Sequence, residues 1–240
     1  MEVLIHKSVY YKIFDKTFNN SSHRYIQENH SINEAEILAN IESITNYFKA
    51  QDILILNQVH SNQIVNADEH IVTIPEADGS ITTKKNLVLT VQSADCVPVL
   101  LASDDGKIIG VAHAGWQGSI NNIISNIVTK MIEKGAKNLI AVIGPAIAQS
   151  SYEVDDKYYK TFLSKDINNK RFFINSIKEN HYMFDLPAFV ELKLNESGVK
   201  DIKNITEDTY TNPSKYPSKR RSYHMQVPYN EKILSAIVIK

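Results

Sequence analysis

The chain has 240 residues, of which 43% are hydrophobic, and a formal net charge of −1. That length supports a sizeable core, and that charge gives no electrostatic footprint for nucleic acid or an anionic membrane surface. A single cysteine, Cys96, excludes an intrachain disulfide and fits a reducing, cytoplasmic compartment.

Residues 33–49 read as a helix, with Asn33 as cap and Ile37, Leu38, Ile41, Ile44 and Phe48 at helical spacing. Ile53–Leu56 reads as a short buried strand. Leu87–Val91 and Val97–Leu101 follow as two more, separated by the polar Gln92-Ser93-Ala94-Asp95. Ile108–Ala112 comes after the turn Asp104-Asp105-Gly106. The spacing predicts one helix from Ile120 to Lys134, capped by Ser119, with Ile120, Ile123, Ile124, Ile127, Val128, Met131 and Ile132 on one face. Gly135 suits its left-handed end. Leu139–Ile143 is a strand ending at Gly144-Pro145, a further helix starts at Pro187 and ends near Gly198, and Ala236–Ile239 is the last strand. Strands and helices mix without strict βαβ alternation, which predicts an α+β fold built on a central mixed β-sheet flanked by helices. Residues 1–240 are expected to form one domain. The segment Met1–Lys7 has an early acid and no long apolar core, unlike a secretory signal, and no run approaches the roughly 18 apolar residues of a spanning helix.

Three residues carry candidate chemistry. His60 follows the strand Ile53–Leu56, Cys96 precedes Val97–Leu101 and His113 follows Ile108–Ala112, so all three can share one rim of a sheet. Two imidazoles and a thiolate make a three-ligand zinc set with a fourth position open for chemistry. If they share an ion, their ligand atoms are expected within about 4 Å of one another. Each alone also reads as an ordinary residue, since a lone Cys is most often a small buried hydrophobe and no CxxC or HExxH spacing is present. Ala114-Gly115 after His113 permits close approach, and Asp95 is available as an acceptor beside Cys96. Arg220 and Arg221 stand out because only four of 26 basic residues are arginine. An arginine fork suits phosphate, although a solvated basic surface is the blander reading of this pair. Trp116 and Tyr223 are candidates to stack a flat ring, while Tyr158-Tyr159 and Phe172-Phe173 read as packing.

Asn57-Gln58-Val59-His60, Ala77-Asp78-Gly79-Ser80, Ser93-Ala94-Asp95-Cys96-Val97-Pro98, His113-Ala114-Gly115-Trp116 and Ile143-Gly144-Pro145-Ala146 occur in one order. In that order the chain resembles the YfiH/YlmD-like family. These are also called laccase-domain or polyphenol oxidase family proteins and are more recently assigned as purine nucleoside phosphorylases. The resemblance implies a compact α+β fold, His60, Cys96 and His113 as zinc ligands, and a purine nucleoside and phosphate as partners. It also implies adenosine deaminase and methylthioadenosine phosphorylase activities beside phosphorolysis. Cys96, His60, His113, Arg220 and Arg221 are then the candidate catalytic residues, with Asn57, Asp95, Trp116 and Gln117 as candidate substrate contacts. The sequence departs from the family pattern at Gln117, where arginine is usual, and at Tyr210, where cysteine is usual. The Gly-Gly-rich stretch near the N-terminus is replaced by Lys16-Thr17-Phe18-Asn19-Asn20. Glutamine keeps hydrogen bonding but loses the charge and the fork, so slow phosphorolysis is expected.

Three other readings use the same residues. A copper-dependent phenol oxidase fits a His2Cys set, but Met1, Met131, Met183 and Met225 are not spaced to suggest the weak axial ligand. A cysteine hydrolase or amidase would use Cys96 as nucleophile and His113 as base. A metal-stabilised partner protein would catalyse nothing. No nucleic acid or membrane partner is expected, and the chain is expected to be a monomer or a weak homo-oligomer.

Overall fold

Apolar runs without alternation become strands buried on both faces. Val97–Ser103 is buried at all seven positions, as is Ile233–Ile239. In this computed structural model, which describes residues 3–6, 8–16, 34–205, 207–228 and 231–240, two sheets stack face to face. One has five strands in the order Val3–His6, Val9–Phe14, Ile233–Ile239, Leu87–Ser93 and Asp52–Leu54. The other has six, in the order Asp201–Asn204, Leu139–Ile143, Val97–Ser103, Ile109–Ala114, Gly79–Thr82 and Ile64–Asn66.

Strand parity sorts the core into layers. Tyr11, Leu89, Val91, Ile237 and Ile239 of the first sheet meet Leu100, Val111 and Val142 of the second. On the outer face of the first sheet, Phe14, Val88, Leu234 and Val238 pack against Ile44 and Phe48 of the helix Glu34–Phe48. On the outer face of the second, Val99, Leu101, Ala112 and Ile143 meet Ile123, Ile127 and Met131 of the helix Ile123–Glu133. The helix Leu186–Glu196 and an aromatic cluster complete that layer. The expected α+β architecture is therefore realised as two stacked mixed sheets between helices, with a third, three-stranded sheet (Glu153–Asp155, His181–Phe184, Phe173–Asn175) at one end.

Several boundaries differ from the sequence reading. The single helix expected from Ile120 to Lys134 is two, Trp116–Ile120 and Ile123–Glu133. The chain breaks at Asn122, which is left-handed at φ 71°, a conformation asparagine tolerates. Ser119 is consequently buried inside the short first helix rather than capping the second. Gly135 does end the second helix in left-handed geometry, at φ 106°. Asp185 caps the helix Leu186–Glu196 by accepting from the Ala188 amide. The strand Ile109–Ala114 runs two residues further than expected and takes in His113. The proposed Asn33 cap and the stretch Thr17–Asn20 lie outside the described residues. Among the described residues, no helix is long and apolar enough to cross a membrane.

Candidate metal centre and cleft

Three adjacent strands explain why the candidate ligands meet. Gly79–Thr82 and Val97–Ser103 both pair antiparallel with Ile109–Ala114, one on each side. Asp78, Cys96 and His113 therefore sit together at one rim. Pro98 is opposite His113, and the His113 amide donates to the Asp78 carbonyl at 2.7 Å. Asp95, just before Cys96, is left-handed at φ 86°, which turns the chain between the strands Leu87–Ser93 and Val97–Ser103.

His60 comes from a loop rather than a strand. The buried Asp78 carboxylate accepts from the amides of Val59 (3.2 Å), His60 (3.1 Å) and Ser61 (2.5 Å), and from the Ser61 hydroxyl (2.9 Å). Gln58 fastens the same loop to the Leu87–Ser93 strand through both main-chain groups of Gln92, at 2.7 and 2.8 Å. Asp78 also accepts from His113 Nδ1 at 2.8 Å. That contact keeps a proton on Nδ1 and leaves Nε2 as the nitrogen from which an incoming metal would displace a proton, the carboxylate–imidazole arrangement common behind bound metals. One carboxylate thus positions both histidines. Asp78 lies in a segment that matched the family pattern, but its role was not visible in the sequence.

His60, Cys96 and His113 each offer a ligand atom, all within 4.8 Å of one another. This is somewhat wider than expected, and a tetrahedral ion would draw them together by about 1 Å. Gly115 tests the fit. A Cβ there would lie 3.0 Å from His60 Cδ2, 3.2 Å from Cys96 Sγ and 3.7 Å from His113 Cε1, so the three groups enclose a space that only glycine leaves open. Electrostatics favours the ligating form of the cysteine. Burial opposes the Cys96 thiolate, but His113 and His60 outweigh it and bring the thiol down to about 6. Burial likewise opposes the His113 cation, yet Cys96 and Asp78 raise that group to about 9. Burial also works against the Asp78 carboxylate, and its bonds to His113 and Ser61 hold it below the usual carboxylate range. The set is a possible metal-binding group of two imidazoles and one thiolate.

The set opens into a cleft of about 870 Å³. Asp95, Trp116, Gln117 and Arg220 line it with His60 and Cys96, as do Tyr152, Tyr158, Tyr223 and His224. Arg220 is held on three sides. Its amide donates to Asp95 Oδ2 (2.6 Å), Nη1 donates to the Glu153 carbonyl (2.7 Å), and its guanidinium lies 5.2 Å from the Tyr152 ring centroid. Asp95 Oδ1 accepts from the buried Thr209 hydroxyl at 2.7 Å. The Asp95 carboxylate therefore ties the Cys96 turn to the helix Lys219–Met225, which carries Arg220, and is already engaged by protein groups.

Two of the candidate residues lie elsewhere. Arg221 spends its guanidinium on the carbonyls of Thr209, Tyr210 and Tyr216 and braces the loop before its own helix. Asn57 bonds to Glu76 outside the cleft. Tyr158, read from the sequence as packing, does pack on Phe162 at 5.1 Å but also lines the cleft. A separate cavity of about 910 Å³ beside strand Asp52–Leu54 contains none of the three metal-ligand candidates.

The family described as multi-copper polyphenol oxidoreductase laccase matches residues 14–228. Purine nucleoside phosphorylase RC0672 of Rickettsia conorii is 85% identical over 240 residues, covering 100% of both chains. Adenosine deaminase RL5, from an unknown prokaryotic organism, is 27% identical over 178 residues, 70% of this chain and 68% of the relative. The crystal structure of Neisseria meningitidis protein NMB0706 superposes with a TM-score of 0.85 at 24% identity, covering 100% of this chain and 98% of the other.

Proposed function

The chain belongs to the multi-copper polyphenol oxidoreductase laccase family, and on that footing we propose that it is a zinc-dependent purine nucleoside phosphorylase. It converts adenosine or inosine and phosphate into the free base and ribose 1-phosphate. The C1′–N9 bond breaks, and a phosphate oxygen bonds to C1′. The observation that carries this reading is that His60 and Cys96 of the His60–Cys96–His113 set line one cleft together with Arg220 and several aromatic rings. The name of the 85%-identical relative supports it.

His60, Cys96 and His113 would hold zinc, which would supply Lewis acidity when bound. Asp78 keeps His113 in the tautomer that ligates. Arg220 serves the phosphate. Its Nη1 contact with Glu153 and its place over Tyr152 fix the guanidinium, and its remaining N–H donors suit the phosphate anion. Arg221 and Asp95 act as positioning residues for Arg220. Among the described residues, Arg220 is the arginine in the cleft wall, with Gln117 beside it. Adenosine deamination is proposed as a second activity, in keeping with the name of the RL5 relative. The lone cysteine supports a cytoplasmic setting.

The deciding experiment measures free base released from adenosine and inosine with and without phosphate, on samples whose metal content is determined. Release that needs phosphate, about one zinc per chain, and loss of both in Cys96→Ala are expected. Phosphate-independent release, or full activity without metal, overturns the proposal. Copper with blue absorbance would favour the oxidase reading that the family description carries.

A further inference from the structure

Arg220, Tyr223 and His224 follow the i, i+3, i+4 pattern on the helix Lys219–Met225, so they share one face. All three line the cleft that holds the metal-binding set. Arg220 is committed at the N-terminal end of that face. Tyr223 and His224 at the other end have no task in the mechanism above.

The aromatic rings of the cleft differ in what is left free. Trp116 packs against Tyr158 at 4.8 Å, and Tyr158 stacks on Phe162 at 5.1 Å and 18°. Tyr152 carries the Arg220 guanidinium at 5.2 Å. Tyr223 is 79% exposed, and among the described residues its ring meets only His224, tilted at 6.0 Å. A ring with open faces on the lip of a cleft is suited to stacking on a flat, uncharged heterocycle. His224 beside it is oriented, since its Nδ1 meets the Tyr210 hydroxyl at 2.9 Å. The phenol is the better donor, so Nδ1 accepts and Nε2 carries the proton. The imidazole can then offer an N–H donor to a ring-nitrogen lone pair.

We propose that Tyr223 and His224 form the purine-base subsite, with Tyr223 stacking on the base, His224 Nε2–H donating to a ring nitrogen such as N7, and Tyr210 acting as the positioning residue for His224. The inference rests on the phosphorylase reading and assigns the base to one end of the helix whose other end serves phosphate.

The test is calorimetric binding of free adenine and free hypoxanthine to the intact protein, which needs no turnover. Tyr223→Ala weakens binding of both bases by about tenfold, the scale of one base–aromatic stack, and raises KM for nucleoside more than it lowers kcat. Tyr223→Phe, which keeps the ring, retains base binding. Tyr210→Phe weakens base binding in the same direction as His224→Gln, and the double variant is no weaker than His224→Gln alone. A wild-type protein that binds neither base, or a folded Tyr223→Ala that binds them as the wild type does, overturns the proposal. Phosphate-dependent release is read separately on the wild type. If that release is absent while base binding and its Tyr223 dependence persist, the phosphorylase reading falls and the base subsite stands.

Discussion

Gly115 is the residue on which the centre is closed. Its hypothetical Cβ meets all three candidate ligands, the nearest at 3.0 Å, and two of those neighbours are fixed behind by Asp78. His113 cannot give way without breaking its buried bond to Asp78, which costs about 1–3 kcal/mol when left unpaired, and the His60 and Cys96 side chains would have to shift to admit the methyl. Gly115→Ala is therefore expected to fold, because its φ of −67° suits alanine, yet to lose at least tenfold in zinc affinity because the methyl displaces the ligand side chains. Competition with a chromophoric chelator measures this, and wild-type affinity in that variant would refute the enclosed site. At this scale the sequence was informative about identity and silent about support. His60, Cys96, His113 and Arg220 stood out by residue type. Asp78 did not, because a buried carboxylate that accepts five hydrogen bonds from 17 to 35 residues away leaves no local pattern. Arg221 shows the converse: a pair of arginines suggested two phosphate ligands, and the backbone carbonyls of its own loop took one.

Elements are held together by similar acids. Asp68 follows the strand Ile64–Asn66 and reaches the hydroxyls of Thr82 and Thr83 and Lys134 beyond the helix Ile123–Glu133. Burial raises its pKa, but these partners outweigh burial and bring it to about 2, from an ordinary 3.8. A depressed carboxylate contributes stability that is present above the unfolded pKa and lost as pH falls through the folded one. Asp68→Asn should thus cost on the order of 2 kcal/mol at pH 7 and progressively less between about pH 4 and pH 2. Urea unfolding at several pH values checks this, and a cost that does not shrink on acidification would contradict it. Element type was legible where apolar periodicity was strong, as in Ile123–Glu133 and Val97–Ser103. It failed at the three-stranded end sheet, whose strands of three or four residues (Glu153–Asp155, Phe173–Asn175, His181–Phe184) are too short to display a period. The break at Asn121-Asn122 was hidden because Ile120 and Ile123 continue the apolar face across it.

On the scale of the molecule, the centre lies where separate parts of the fold meet. The six-stranded sheet supplies Cys96 and His113, the loop pinned to the five-stranded sheet supplies His60, and the end sheet and the Arg220 helix supply the far wall of the cleft. An ion bound at such a junction restrains all of them at once. Zinc that binds the folded state alone stabilises it by RT ln(1 + [L]/Kd), about 2.7 kcal/mol at a hundredfold excess over Kd. In a protein of this size that corresponds to a rise in Tm of roughly 5–10 °C. Continuous burial from the helix Glu34–Phe48 through both sheets to the helix Ile123–Glu133 means that the layers share their apolar faces and are expected to melt together as one domain. Scanning calorimetry should therefore show one transition, with calorimetric and van't Hoff enthalpies in agreement. Chelation should lower that transition as a whole, and Cys96→Ala should be insensitive to added zinc. Two resolved transitions, with zinc moving only one, would mean that the sheets unfold independently and that the ion braces a single layer.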